Sequence, residues 1–459
     1  MNVRLRDVLP IIQDVPDYPA FLTVDELQAS SRRLASSHPG VVQLLTIGQS
    51  RQGAPIEALK IGDGPRKALL YAMPHPNEPI GSMTLEYLAQ RLSEDDALRR
   101  SLGFTWYLVK CVDPDGARLN EGWFKGPFSI ERYARHFYRP PGFEQVEWTF
   151  PVDYKTLHYH SPLPETRALM TLIEQVRPDF MYSLHNAGFG GVYFYLSHPA
   201  PPLYEAFHEL VASQGLPLHL GEPEMPYVEA YAPAIYSTVT TAATYEFYLA
   251  QTGADPATMI RMGTSSLEYA QTFGDPFYLV CEMPYFYNPA INDTSPSDMV
   301  RRDAILQALA RSREHLDFLR QQYDAVRDEL TASSPFRTAV QESLESSQQY
   351  IAAEENWARS DPRTAEMATV AEKFDNLLVR RFYELLTLGM LVRMIEAQVA
   401  SHGLSPALEK AQQASQRAFA AESAELASEL RYSVIPIQKL VRVQLGSALL
   451  AADLAAQRR

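Results

Sequence analysis

Four short apolar runs, each closed by turn or polar residues, set the rhythm of the first part of the chain. They are Ala68 to Met73 (ALLYAM, before Pro74), Thr105 to Val112 (TWYLVKCV, before DPDG), Phe180 to Leu184 (FMYSL, before His185) and Phe277 to Cys281 (FYLVC, before Glu282). Runs of this length without polar alternation predict strands buried on both faces, as in a largely parallel sheet. Amphipathic stretches lie between some of them. In Ile80 to Leu92, the residues Met83, Tyr87, Leu88 and Leu92 share one helical face. A second stretch, Glu165 to Val176, closes at Arg177-Pro178.

The pattern changes near Ser333-Ser334-Pro335. From there to the end the chain is rich in Ala, Glu, Gln, Leu and Arg and poor in Gly. Phe374, Leu378, Phe382 and Leu385 recur at helical spacing, as do Leu388, Leu391 and Ile395. The reading is an α/β catalytic domain over residues 1–332 and a helical bundle over 333–459.

A chain of 459 residues accommodates both. Its 46% hydrophobic and 21% charged residues are those of a soluble globular protein. The formal net charge of −14 argues against a general nucleic-acid or anionic-membrane binder, which needs Lys and Arg in excess. Asp7, Pro10 and Asp14 interrupt any signal-like apolar core, and no apolar run has bilayer-spanning length. Two cysteines, Cys111 and Cys281, make no disulfide framework and read as buried free thiols. A cytoplasmic location is the expectation.

The strand ends carry the candidate chemistry. In open α/β sheets, sites lie outside the carboxyl ends of the strands. Three of the four ends present metal-type or catalytic residues: His75 with Glu78, His185, and Glu282; the fourth presents Asp113 and Asp115. A catalytic zinc needs about three ligands from His, Glu and Asp plus an open position for water. His75 and Glu78 are close enough on one turn to face one ion, and Glu282 is a candidate proton acceptor. His158 and His160 form an HxH pair in a segment without clear strand alternation, read as a loop with no metal role.

The order of short motifs resembles the zinc metallocarboxypeptidase family over roughly residues 20–325. HPNEPIG (75–81) is similar to its HxxE zinc motif, DPDG (113–116) to its NPDG turn, and PETRAL (164–169) to the segment before its third ligand. SLHNAG (183–188) resembles the stretch around the ligand His, and VCEMP (280–284) the strand bearing the general base. The N-terminal stretch from Leu22 through SHPGVVQLLTIGQSRQGAPIEALKIG resembles the family's entry. The resemblance implies a mixed eight-stranded sheet flanked by helices. It implies one zinc ion per chain on His75, Glu78 and His185, with Glu282 as general base.

The family's Asn-Arg pair, which grips a substrate's terminal carboxylate, has no counterpart in VEWTFP (146–151) or VDYKT (152–156). Glu147 or Asp153 is the expected partner of the zinc-binding His75, both registers remaining open. Lys125 sits near the place of the family's oxyanion Arg, and Arg132, Arg135 and Arg139 follow in the same segment. Lys125, Arg135 and Arg139 are therefore the substrate-binding candidates. Tyr227, Tyr231 and Tyr236, with Tyr285-Phe286-Tyr287, are expected to flank the site.

The expected function is zinc-dependent hydrolysis of an amide in a peptide or small peptide-like substrate. The alternatives are a deacylase or amidase acting on a small metabolite, and a non-catalytic peptide binder. No nucleic-acid or membrane partner is expected, and the helical region offers a surface for a homo-oligomer.

Overall fold

A computed structural model describes residues 5–458. Nine strands form one mixed sheet: β1 (Val42–Gln49), β2 (Pro55–Ile61), β3 (Arg66–Ala72), β4 (Phe104–Val109), β7 (Phe180–His185), β8 (Tyr193–Leu196), β9 (Ala230–Ala232), β10 (Ile235–Ser237) and β11 (Phe277–Glu282). The short strands β5 (Val152–Tyr154) and β6 (Leu157–Tyr159) form a separate hairpin. The order across the main sheet is β1-β2-β4-β3-β7-β11-β8-β10-β9. The four apolar runs become its centre, β4-β3-β7-β11, all mutually parallel. The flanking pairs β1/β2, β2/β4, β11/β8 and β10/β9 are antiparallel. The sheet thus has nine strands rather than eight.

The lack of polar alternation in the central strands has a direct cause. Ala68, Leu70 and Ala72 of β3 join one apolar cluster, while Leu69 and Tyr71 join the cluster on the opposite face. Both faces are covered, so no position along these strands needs to be polar. Helix Ile80–Glu94 covers one face and helix Pro164–Val176 the other. Gly81 lets the first of these start close to the sheet. A Cβ there would lie 2.5 Å from Leu184 Cβ and 3.0 Å from Ala72 Cβ.

Beyond residue 300 the chain is helical, with long helices Arg301–Val326, Pro335–Ser360, Arg380–His402, Pro406–Leu430 and Ile437–Gln457. The boundary expected at 333 falls between the first two, which pack on each other. The last helix packs on Ile80–Glu94, on Pro201–Ser213 and on strands β7 and β11. One continuous apolar cluster joins Leu445 and Leu449 to Leu184 and Cys281. No helix among the described residues is long and apolar enough to cross a membrane. Cys281 is buried and Cys111 half-buried, both as free thiols.

Candidate metal centre and cavity

His75 lies three residues past β3, in a loop that passes through Met73 at φ 55° before Pro74. Glu78 follows on the same turn, its N–H donating to the His75 carbonyl at 3.1 Å. His185 is the last residue of β7 and Glu282 the last of β11, and the parallel register pairs the two directly. Adjacency of β3, β7 and β11 therefore gathers groups 207 positions apart in sequence (282 − 75) at one rim.

The ligand atoms of His75, Glu78 and His185 lie within 4.8 Å of one another, and all three residues are buried. Glu78 Oε1 is 3.0 Å from His75 Nδ1, and Oε2 is 3.0 Å from His185 Nδ1. Both imidazoles thus turn the same nitrogen toward one carboxylate. Glu282 Oε1 stands 4.0 Å from His185 Nδ1. Two imidazoles and one carboxylate, converging without a fourth protein donor among the described residues, fit a zinc ion with an open position.

The tautomer of His185 follows from its neighbours. Its Nε2 is 2.7 Å from Ser183 Oγ. Ser183 in turn donates to Glu147 Oε2 at 3.1 Å, so its oxygen accepts from Nε2–H. With Nε2–H committed to Ser183, Nδ1 is the nitrogen available to a metal ion, and it shares a proton with Glu78 in the ion's absence. Glu147 is itself fully engaged: Tyr71 donates to Oε2 at 3.0 Å and Ser266 Oγ to Oε1 at 3.1 Å.

Electrostatics in the cluster are strained by burial. Desolvation, then the Arg139 guanidinium, pushes His75 down to about 3. Desolvation also acts to lower His185, but its hydrogen bond and charge interaction with Glu78 win and raise it to about 9. Burial tends to raise Glu78, yet the two imidazoles bring it below the usual carboxylate range. Burial foremost, with the charges of Glu224 and Glu78, drives Glu282 well above that range.

The remaining expected residues are divided. Arg139 reaches the cluster, donating to Glu78 Oε1 at 3.2 Å and lying 2.8 Å from His75 Nδ1. Arg135 instead pairs with Glu396 at 2.6 Å, and Arg132 donates to the Gly122 carbonyl. Lys125 is tied to Glu26 and the Phe21 carbonyl. Glu147 stands behind His185, not His75. Asp153 is exposed in the β5–β6 hairpin, where it accepts from His158 and His160 at 2.7 and 3.0 Å. That segment is a hairpin, not a loop.

The cluster opens into a cavity of about 890 Å³. Tyr227 lines it, its hydroxyl bonded to Thr244 Oγ1 at 2.8 Å. Tyr285 is buried behind the metal turn and donates to the Asn77 carbonyl at 2.9 Å. Sequence reasoning missed much of the wall. Glu224 comes from a segment without regular structure, and Arg380 and Tyr383 come from helix Arg380–His402. No sequence signal links them to His75. Ser183 was within reach, since residues i and i+2 of a strand share a face.

Residues 27–246 match the zinc carboxypeptidase family, a span that includes His75, Glu78 and His185 and ends before Glu282. Zinc carboxypeptidase A 1 of Anopheles gambiae is 31% identical over 179 residues, covering 35% of this chain and 41% of that protein. This chain therefore spans less than half the length of that relative. Among solved structures, the carboxypeptidase A of Helicoverpa armigera is 16% identical with a TM-score of 0.38, covering 59% of this chain and 66% of its own. A metallo-carboxypeptidase from Burkholderia cenocepacia is also 16% identical, with a TM-score of 0.33 and coverage of 59% and 61%.

Proposed function

We propose that the chain, whose residues 27–246 match the zinc carboxypeptidase family model, is a zinc-dependent hydrolase of amide bonds in small peptide-like molecules. The observation that carries this reading is the buried His75-Glu78-His185 cluster with Glu282 beside it on the adjoining strand, at the edge of a cavity of ligand size. A zinc ion held by these three residues would supply a Lewis acid and a water acidified toward neutral pH.

Each protein group then has a task. Glu282 takes a proton from the attacking water at its carboxylate and returns it to the departing amide nitrogen. Arg139, lining the cavity beside Glu78, donates to the carbonyl oxygen as negative charge builds on it. Ser183 and Glu147 keep His185 in the tautomer that binds metal.

One observation favours an amidase or deacylase on a small metabolite over a peptidase acting on free C-termini. The Arg135 and Lys125 side chains are committed to Glu396 and Glu26, and the Arg380 guanidinium in the cavity is paired with Glu354. Arg139 is then the basic group left to meet a terminal carboxylate, and it already serves the cluster.

Elemental analysis and a substrate panel test the reading. Wild type purified without added metal is expected to hold about one zinc per chain, and His185→Ala to lose most of it. Glu282→Gln is expected to keep the metal but lose turnover on N-acyl amino acids and dipeptides by at least about 100-fold. A wild type that takes up no zinc refutes the hydrolase. Full zinc with no turnover of any amide moves the chain to the non-catalytic peptide binders.

A further inference from the structure

Seven glutamates line the cavity: Glu78, Glu147, Glu222, Glu224, Glu282, Glu342 and Glu354. Six of them have their charge answered within the protein. Glu222 pairs with Arg301, Glu342 with Arg261 and Glu354 with Arg380. Glu78 faces both histidines and Arg139, and Glu282 lies 4.0 Å from His185. Glu147 is 3.9 Å from His185 and held by hydroxyls.

Glu224 is different. Its two oxygens accept from Tyr193 at 2.7 Å and Tyr195 at 2.8 Å, so the carboxylate is fixed in place. Among the described residues it has no ion pair with Lys, Arg or His. The strand register locates it relative to the chemistry. Glu282 pairs directly with Tyr193 across β11 and β8, and Val280 with Tyr195, so these four side chains leave the sheet on one face. Glu224, bound to both tyrosines, lies over that face beside Glu282. Tyr383 shares the cavity wall, its hydroxyl accepting from the Gly188 N–H at 3.3 Å. Tyr195, Tyr227 and Tyr383 give the same cavity aromatic surface.

A carboxylate oriented by two hydroxyls, exposed to the cavity and lacking a counterion is preorganised to meet a cation. Aromatic faces around it add to the attraction for ammonium or guanidinium. We propose that Glu224 is a specificity-determining residue that holds a cationic group of the amide substrate against the tyrosines of the cavity wall. The inference rests on the hydrolase reading for its reaction, but not for its binding.

Two measurements test it on the full chain. The first is calorimetric binding of Nα-acetyl-lysinamide, Nα-acetyl-argininamide and neutral Nα-acetyl-norleucinamide to wild type, Glu224→Gln and Glu224→Asp. The second is kcat/KM of the zinc-loaded protein on Gly-Lys, Gly-Arg and Gly-norleucine, and on Lys-Gly and norleucine-Gly. The reversed dipeptides show on which side of the scissile bond the cation sits.

A cationic preference of about tenfold or more in wild type is expected. It should fall to near one in Glu224→Gln and be partly kept in Glu224→Asp. Cation-selective binding that depends on Glu224, without any turnover, supports the site and removes only the hydrolase reading. Equal binding of charged and neutral ligands by wild type overturns the proposal, as does failure of all the ligands to bind. So does a Glu224→Gln chain that loses both ligand types in proportion, because Glu224 would then only brace its tyrosines.

Discussion

Glu147→Gln changes one oxygen of a buried carboxylate, yet it should loosen the metal from the other side of His185. The wild-type carboxylate only accepts: from Tyr71 and Ser183 at Oε2, and from the Ser266 hydroxyl and backbone N–H at Oε1. That forces the Ser183 proton toward Glu147 and leaves the Ser183 oxygen for His185 Nε2–H. An amide NH2 placed at the Oε2 position would donate to Ser183, turn its proton toward Nε2 and drive the histidine proton onto Nδ1. The neutral tautomer with Nδ1 free for a metal ion is then disfavoured. An NH2 placed at Oε1 would oppose the Ser266 N–H, a donor against a donor. Neither orientation is neutral. Loss of such an outer partner typically weakens metal binding 10- to 100-fold, about 1.4 to 2.7 kcal/mol. Zinc affinity by chelator competition, with circular dichroism to confirm the fold, measures it. Ser183→Ala should cause a comparable loss, and the double variant should lose little more than either single one, since both cut one chain. Unchanged affinity in Glu147→Gln, or fully additive losses, would refute the relay.

Two further outcomes follow from groups outside the cluster. Asp113 caps helix Pro114–Phe124 through the Gly116 N–H at 2.9 Å, but its Oδ2 is buried without a partner, and burial raises its pKa to about 6. A carboxyl raised on folding stabilises the fold when protonated, below about pH 4, and that stability is lost as pH climbs through 6. Relative to Asp113→Asn, wild type should therefore lose up to about 3 kcal/mol between pH 4 and pH 7 in urea unfolding; a flat difference would contradict it. Gln444, on the last helix, donates to the His185 carbonyl at 2.8 Å and accepts from Thr84 at 3.0 Å. Gln444→Leu should lower stability by about 1–3 kcal/mol by removing these two buried hydrogen bonds, seen in the denaturation midpoint with the zinc-free protein. An unchanged midpoint would show that the last helix does not brace this strand end.

Much of the site is legible along the chain itself, for a local reason. A strand buried on both faces needs an unbroken apolar run, so β3, β4, β7 and β11 announce themselves, and the residue closing each run stands at the sheet rim. His185 and Glu282 close two such runs and His75 and Glu78 follow a third, and the motif resemblance then singles the four out. Helices Ile80–Glu94 and Pro164–Val176 are legible from their one-sided apolar periods, and helicity beyond residue 333 from its composition. What tertiary structure decided is which charges are free. Arg135, Arg139 and Lys125 look alike in one segment, but Glu396 and Glu26 claim two of them from far away in the chain, and only Arg139 meets the cluster. Glu147 and Asp153 are equal candidates in sequence, yet one is buried behind His185 and the other lies exposed in a hairpin. The composition change at 333 likewise gives no hint that the final helix lies on the strands that carry His185 and Glu282. Periodicity along a chain records how much of a segment is buried, but not against what. Ion pairs and cavity walls depend on which buried surfaces meet, and that is settled only when the whole chain packs.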